Sequence, residues 1–450
     1  MKHRQDDRRG FRRPRQRRFL AAVAFLAGAI PALAAPGRAA VPAPAAAAPT
    51  PAVEQLVAEA LQRNPELLML RAEADAAQAA VPQAGALPDP MLMVAYFPAM
   101  GGLVGGVQMV DLVQPIPYAG KRGARTQQAS SALALARHRV REGEQRVREQ
   151  VQSQYAALVF LDRAAALLEG NRAILQQIER IARTQYEVGK GSQSDVLRAQ
   201  LEVSRLLDQV VELRAQRPGT LAALNALLAR PVTTPLATPM ATGQMGSAES
   251  AIPSDETLTA ATAHRPSVEL WAEQVRWWEL QVRLAELDRK PDFQVGARAM
   301  AMDTNERAIV GVTFGLNLPI YSGRKQHQAV IEAKARLTAA KAALEQARLQ
   351  AAQEVIAQAA MVRGLDERLT ILRTGLLPQA QANAQAALSA YQVGQADFLT
   401  LMDRELDVIH LQSDQHRLLR DRAQALAMLE AAVGLPVAEW PKGDADGHAG

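Results

Sequence analysis

Tyr186-Glu-Val-Gly-Lys-Gly-Ser-Gln-Ser-Asp-Val-Leu197 is answered 205 residues further on by Tyr391-Gln-Val-Gly-Gln-Ala-Asp-Phe-Leu-Thr-Leu-Met-Asp403. The same shift then runs without a gap to Pro231-Val232 and Pro436-Val437. Along it Leu201, Leu206, Leu213, Arg217, Leu221 and Leu224 meet identical residues at Leu406, Leu411, Leu418, Arg422, Leu426 and Leu429. Upstream, Pro117-Tyr118-Ala-Gly120-Lys-Arg lies opposite Ile320-Tyr321-Ser-Gly323-Arg-Lys, and Pro88-Asp89 opposite Pro291-Asp292, both at a shift of 203. Chance resemblance between Ala/Leu-rich helices does not keep Tyr, Gly and Pro in register over such a distance. Two repeats, residues 53–240 and 241–440, therefore share one plan.

Each repeat reads as helix, two strands, a very long helix, a reversal and a return helix. In the first, Leu56, Ala60, Leu67, Leu70 and Ala74 keep helical spacing to about Gly85, with an interruption at Asn64-Pro65. A β-hairpin is predicted over about 91–117, turning through the Gly-rich stretch Gly101–Gly106. In the second, about 292–320, Phe293, Val295, Ala297, Ala299 and Ala301 alternate with Gln294, Gly296, Arg298, Met300 and Met302. After a polar turn at Asp303–Arg307, Val310, Val312, Phe314, Leu316 and Leu318 alternate with small or polar residues. A period of two over about ten residues fits a strand crossing a membrane as part of a barrel. A soluble hairpin packed on a core would show the same pattern, but this chain offers no other core for those faces. Past each hairpin the pattern turns helical: Arg125 to about Glu187 has no Pro, and about 60 residues at 1.5 Å each make a rod of roughly 90 Å. Such a rod belongs in a bundle or coiled-coil wall. Bends are expected at Gly364, Gly375 and Pro378, and a break at Pro218-Gly219.

Composition narrows the function. Cys is absent, which removes disulfides, thiolate metal sites and a lipidated N-terminal Cys. With 7 His and no close pair at metal spacing, no metal site, cofactor or catalytic centre is expected, and the chain does not read as an enzyme. The net charge of +5 comes from the first 18 residues, where nine cations face Asp6 and Asp7. That +7 leaves +5 − 7 = −2 for the remainder, so nothing favours nucleic acid. The basic stretch, the apolar run Phe19–Ile30 and Ala32-Leu33-Ala34 read as a signal peptide over 1–34. An Ala/Pro-rich flexible segment, 35–52, and a C-terminal tail, 441–450, flank the repeats. In hydrocarbon an open sheet edge leaves backbone groups unpaired, so spanning sheets close, with about eight strands as the minimum. Four strands per chain therefore require association, which would give eight strands in a dimer or twelve in a trimer.

The paired turns Gln114-Pro-Ile-Pro-Tyr-Ala-Gly-Lys-Arg122 and Asn317-Leu-Pro-Ile-Tyr-Ser-Gly-Arg-Lys325, together with the two reversal motifs, resemble those of TolC-type outer-membrane factors. The resemblance covers the chain behind the leader. It implies a mainly helical protein with a small β part: a homotrimer whose twelve strands form one outer-membrane barrel and whose long helices form a periplasmic tunnel. It also implies contact with outer-membrane lipid, a periplasmic adaptor and an inner-membrane pump of the RND type. By the same resemblance Val188, Gly189, Lys190, Gly191, Ser192, Val393, Gly394, Gln395 and Ala396 meet the adaptor at the tips. Asp195, Tyr391 and Asp403 fall at a periplasmic gate, although the Arg partner expected for Asp195 is replaced by Ala396. Pro117, Tyr118, Gly120, Pro319, Tyr321 and Gly323 build the strand-to-helix turns, the tyrosines either as interface-belt aromatics or as turn packing. The implied function is an exit duct for efflux or type I secretion. An exported coiled-coil scaffold or adaptor without a barrel is the alternative. Met91, Met93, Met100 and Met109 hint at heavy-metal substrates or simply face lipid, and Trp271, Trp277 and Trp278 read as packing.

Overall fold

The computed structural model describes residues 52–97, 107–239, 252–302 and 305–440. The signal peptide, nearly all of segment 35–52, the Gly101–Gly106 loop, Met100 and the C-terminal tail lie outside them. The first repeat contains α1 (Val53–Arg63), α2 (Pro65–Gly85), β1 (Met91–Phe97), β2 (Val107–Ile116), α3 (Lys121–Glu187) and α4 (Gln193–Leu227). The second contains α5 (Asp255–Ala261), α6 (Pro266–Leu287), β3 (Asp292–Met302), β4 (Asn305–Asn317), α7 (Gln326–Ile371), α8 (Leu377–Gln392) and α9 (Phe398–Val433). Asn64 separates α1 from α2 as the sequence predicts. Its Oδ1 accepts the Glu66 and Leu67 amides at 2.9 and 3.4 Å, while Nδ2 donates to the Leu227 carbonyl at 3.0 Å.

α3 is the spine, 67 residues or about 100 Å long. Leu161, Leu168, Leu175 and Ala182 are buried on it at intervals of seven, the spacing of a coiled-coil seam. One buried cluster joins α1, α3 and α4 around Leu56, Val151, Leu158 and Leu224. A second joins the far ends of α3, α4, α8 and α9 around Leu175, Leu206, Tyr391 and Met402. A third packs α5, α7 and α9 around Leu258, Val362 and Leu429.

Two expectations need correction, and the second long helix shows where its regularity changes. α4 runs unbroken through Pro218 and Gly219. Leu221 and Leu224 are held in the α1–α3 core, and Arg217 grips Asp162 at 2.6 and 3.1 Å, so tertiary packing outweighs the lost amide. At Gly364 helix α7 continues, whereas Gly375 sits in a π-helical turn, Leu372–Leu376, that passes directly into α8 with Pro378 in its first turn. Finally, β4 starts at Asn305, inside the expected polar turn, because antiparallel pairing reaches Met302 opposite Asn305.

The four strands form one antiparallel sheet in the order β1-β2-β3-β4, so the two hairpins are joined through β2 and β3. The register sorts most of the side chains by face. One face carries Leu92, Val94 and Tyr96, then Val110 and Leu112, then Phe293, then Val310, Val312, Phe314 and Leu316, all exposed. The other carries Asp111, Arg298, Gln294 and Thr313. There Asp111 lies directly opposite Arg298 and accepts two hydrogen bonds from it, at 2.6 and 3.0 Å, with Asp111 only 1% exposed. Met91, Met93, Met109 and Met300 fall on this polar side, so they do not share the apolar face. No helix among the described residues is long and apolar enough to cross a membrane.

An apolar outer face and a polar inner face make opposite demands of neighbouring residues. Val312→Lys should cut the yield of folded protein in membrane fractions sharply, since a Lys at the bilayer midplane costs about 2–4 kcal/mol. Thr313→Lys, one residue on, should be tolerated. Unheated gel mobility reads both, and equal yields would contradict the assignment of faces.

Candidate functional site

The two reversals at the far end of the helices form the first site. At the first, Val188 ends α3 and Gly189 adopts φ 72°. The Lys190 and Gly191 amides both donate to the Gln185 carbonyl, at 2.8 and 3.0 Å. At the second, Gly394 adopts φ 75° and the Gln395 amide donates to the Ala390 carbonyl at 2.8 Å. A side chain built on Gly189 or Gly394 would meet nothing within 4 Å, so the demand for glycine there is conformational. Gly191 differs: a Cβ there would approach the Tyr186 amide nitrogen to 3.1 Å, a steric requirement the sequence reading missed. Val188 and Val393 are exposed beside Lys190, Gln395 and the glycines, giving each tip an uncovered apolar residue.

Each return helix is capped. Ser192 Oγ accepts the Ser194 amide at 3.0 Å, and Asp195 accepts the Ser192 amide at 3.2 Å, a reciprocal box that starts α4. Asp397 begins α9 by accepting the Thr400 amide at 2.9 Å. Asp195 thus has a local role, and Ala396 offers it no cation. Tyr391 is buried against Phe398, with ring centroids 5.8 Å apart. Burial, and secondarily the charge of Asp195, push the Tyr391 hydroxyl pKa up, so it remains a neutral hydroxyl. Asp403 is paired: Arg198 on α4 donates to it at 3.4 Å, tying the first tip hairpin to the second. The sequence reading did not see this pair, although Arg198 and Asp403 stand at matching positions 205 apart.

The second site lies where sheet meets helices. Gly120, at φ 93°, launches α3 from the first turn. Pro117 and Tyr118 are half-buried there, and Lys121 is 2% exposed. Its ammonium reaches Asp292 at 2.8 Å, Asp288 at 3.4 Å and the Lys290 carbonyl at 3.1 Å, while the Tyr118 amide donates to Asp292 at 2.8 Å. The second turn is open: Pro319 is half-buried, Gly323 and Arg324 are exposed, and Tyr321 is 73% exposed. Trp271, Trp277 and Trp278 lie on α6, with Arg336 of α7 stacked 5.3 Å from the Trp278 ring; Trp271 is exposed, so the stripe is only partly packing. Among the described residues no cluster of His, Cys, Asp or Glu could hold a metal ion.

A four-stranded sheet with one apolar exposed face, continued by helices of about 100 Å that end in paired hairpin tips, defines the class of outer-membrane channels with a helical extension. The profile of the outer membrane efflux protein family matches residues 56–230 and 257–435, once per repeat, and the chain belongs to that family. It is 23% identical over 300 residues to the outer membrane efflux protein BepC of Brucella suis biovar 1 (strain 1330), spanning 63% of this chain and 62% of that one. It is 27% identical over 313 residues to the nickel-cobalt-cadmium resistance protein NccC of Alcaligenes xylosoxydans xylosoxydans, spanning 68% and 69%. The crystal structure of the outer membrane protein VceC from Vibrio cholerae superposes with a TM-score of 0.73 at 19% identity, covering 86% of this chain and 96% of that one.

The capping box makes a local prediction. Ser192→Ala should raise amide hydrogen exchange over the first turn of α4, residues 193–196, by an amount corresponding to a lost cap of about 0.5–2 kcal/mol. The start of α9, capped separately by Asp397, should be unaffected. Unchanged exchange at α4 would show that the box does not hold the tip.

Proposed function

We propose that the protein is the outer-membrane exit duct of a tripartite efflux or type I secretion system, exported by the 1–34 leader. Three copies close one barrel and one helical tunnel, through which substrate passes from a periplasmic adaptor and an inner-membrane pump of the RND type. The observation that carries this reading is the sheet: one face mostly apolar and exposed, the other holding the Asp111–Arg298 pair with Asp111 buried, and two free edges. A soluble scaffold would have no use for that face. The tips support adaptor docking, since each presents a positive-φ glycine beside an exposed valine, a surface another hairpin can approach closely. Asp195, Tyr391 and Asp403 serve the periplasmic gate, with Arg198–Asp403 holding the two hairpins together in place of the pair that Ala396 removes. The relative named for nickel-cobalt-cadmium resistance, together with thioethers on the polar sheet face, favours soft or borderline cations as cargo.

Gly189→Val with Gly394→Val forces a β-branched residue into the left-handed region at both tips. The double variant should reach the outer membrane as a trimer yet fail to export and fail to crosslink to its adaptor. Normal export with normal trimer would remove these turns from docking. The gate makes an electrical prediction: Arg198→Ala frees one carboxylate per protomer around the pore axis, which should strengthen block by multivalent cations in planar-bilayer recordings at low salt. Asp403→Asn should abolish that gain, and identical block in all three proteins would exclude an Asp403 ring.

A further inference from the structure

The repeat makes one junction of the protomer a template for a second. Where β2 meets β3, the turn after β2 is seated on the residues that open β3 by the Lys121 and Tyr118 contacts with Asp292 and the Lys290 carbonyl. At the shift of 203, Tyr118 corresponds to Tyr321, Lys121 to Arg324, Lys290 to Leu87 and Asp292 to Asp89. Each of these is exposed, and neither Arg324 nor Asp89 has an ion-pair partner among the described residues. The Tyr321 amide likewise has no acceptor there. They stand at opposite edges of the sheet, Arg324 just past the end of β4 and Asp89 just before β1. One protomer cannot bring them together, although they are the two halves of a contact it already makes once.

We infer that Arg324 of one protomer seats on Asp89 and the Leu87 carbonyl of the next copy, with the Tyr321 amide donating to the same carboxylate. The partner surface is therefore a second copy of this chain. This rests on the closed-trimer reading above and names the seam by which closure is made. The strands agree with it. Setting Leu318, Leu316 and Phe314 opposite Leu92, Val94 and Tyr96 of the neighbour keeps the apolar face continuous across the seam and brings the end of β4 beside the start of β1. At the shift of 203 Asp111 and Arg298 correspond to Phe314 and Ala95, which this register leaves one residue out of opposition and neither of which is charged, so the seam has no counterpart of the ion pair inside the sheet. The Arg324–Asp89 contact is then its charged fastening. The state of the second turn fits an unseated partner. α3 starts directly after Gly120 in the left-handed region, whereas α7 starts only at Gln326 and Gly323 is not in that region.

The chain has no cysteine, so Asp89→Cys with Arg324→Cys introduces the only two thiols. In membranes treated with a short bis-maleimide, the double variant should give covalent dimers and trimers on a denaturing gel, and each single variant none. Charge provides the second arm: Asp89→Arg or Arg324→Asp alone should lower detergent-stable trimer about tenfold or more, because each leaves like charges facing in three seams. The two substitutions combined should restore it. A wild-type trimer with no crosslinked ladder and no rescue by the exchange would overturn this seam while leaving the trimer intact. A wild-type protein that never forms trimer would overturn the closed-barrel reading and the seam together.

Discussion

A backbone amide facing hydrocarbon without an acceptor costs several kcal/mol, and β1 and β4 each present a row of such groups along one edge. The sheet is also largely apolar on one face, from Leu92 to Leu316, so it belongs in lipid, where those edges cannot be left to water. The remaining features follow from having to close that sheet. The charged pair lies on the opposite face, with Asp111 and Arg298 satisfying each other across β2 and β3. The helices leave the sheet from one end only, since both hairpins begin and end there. In the assembly we propose, closure of strands from several chains sets several long helices side by side, which is the arrangement the heptad stripe of α3 needs.

The long helices solve a different problem. A rod such as α3 exposes far more side chain than its short neighbours can cover, so burial is distributed along it in separate clusters, one near α1, one at the tips and one on the α7–α9 side. Ion pairs fix the registers between them. Arg217 grips Asp162 between α4 and α3, and Arg422 grips Asp366 between α9 and α7 in the same bidentate manner. The tips are held more lightly, by the Ser192–Asp195 cap and the single Arg198–Asp403 contact. That gradient, from a satisfied sheet to lightly tied hairpins, suits the proposed duct, permanent in the membrane and responsive at its far end.

The repeat and the alternation in Phe293–Leu318 carried the architecture because hydrophobic period and Gly, Pro and Tyr punctuation are local properties of a chain. Both tip glycines were legible for that reason, and both take positive φ. What escaped was relational. Nothing local to Arg198 or Asp403 reveals that α4 and α9 lie side by side, and the burial of Lys121 depends on β2 pairing with β3 across a gap of many residues. Arg217 and Arg422 were visible as a matched pair, but their partners Asp162 and Asp366 lie 55 and 56 residues upstream and had to be found in space. Pro218 misled because helix propensity is a weak prior against a core that includes Leu221 and Leu224.

The central claim is that this sheet is one third of a closed barrel. Native mass spectrometry of the protein released from outer membranes in mild detergent tests it most directly. The account predicts a single dominant species of three chains that persists as detergent is stripped in the gas phase. A species of one chain, from a preparation that still conducts ions across a bilayer, would contradict it.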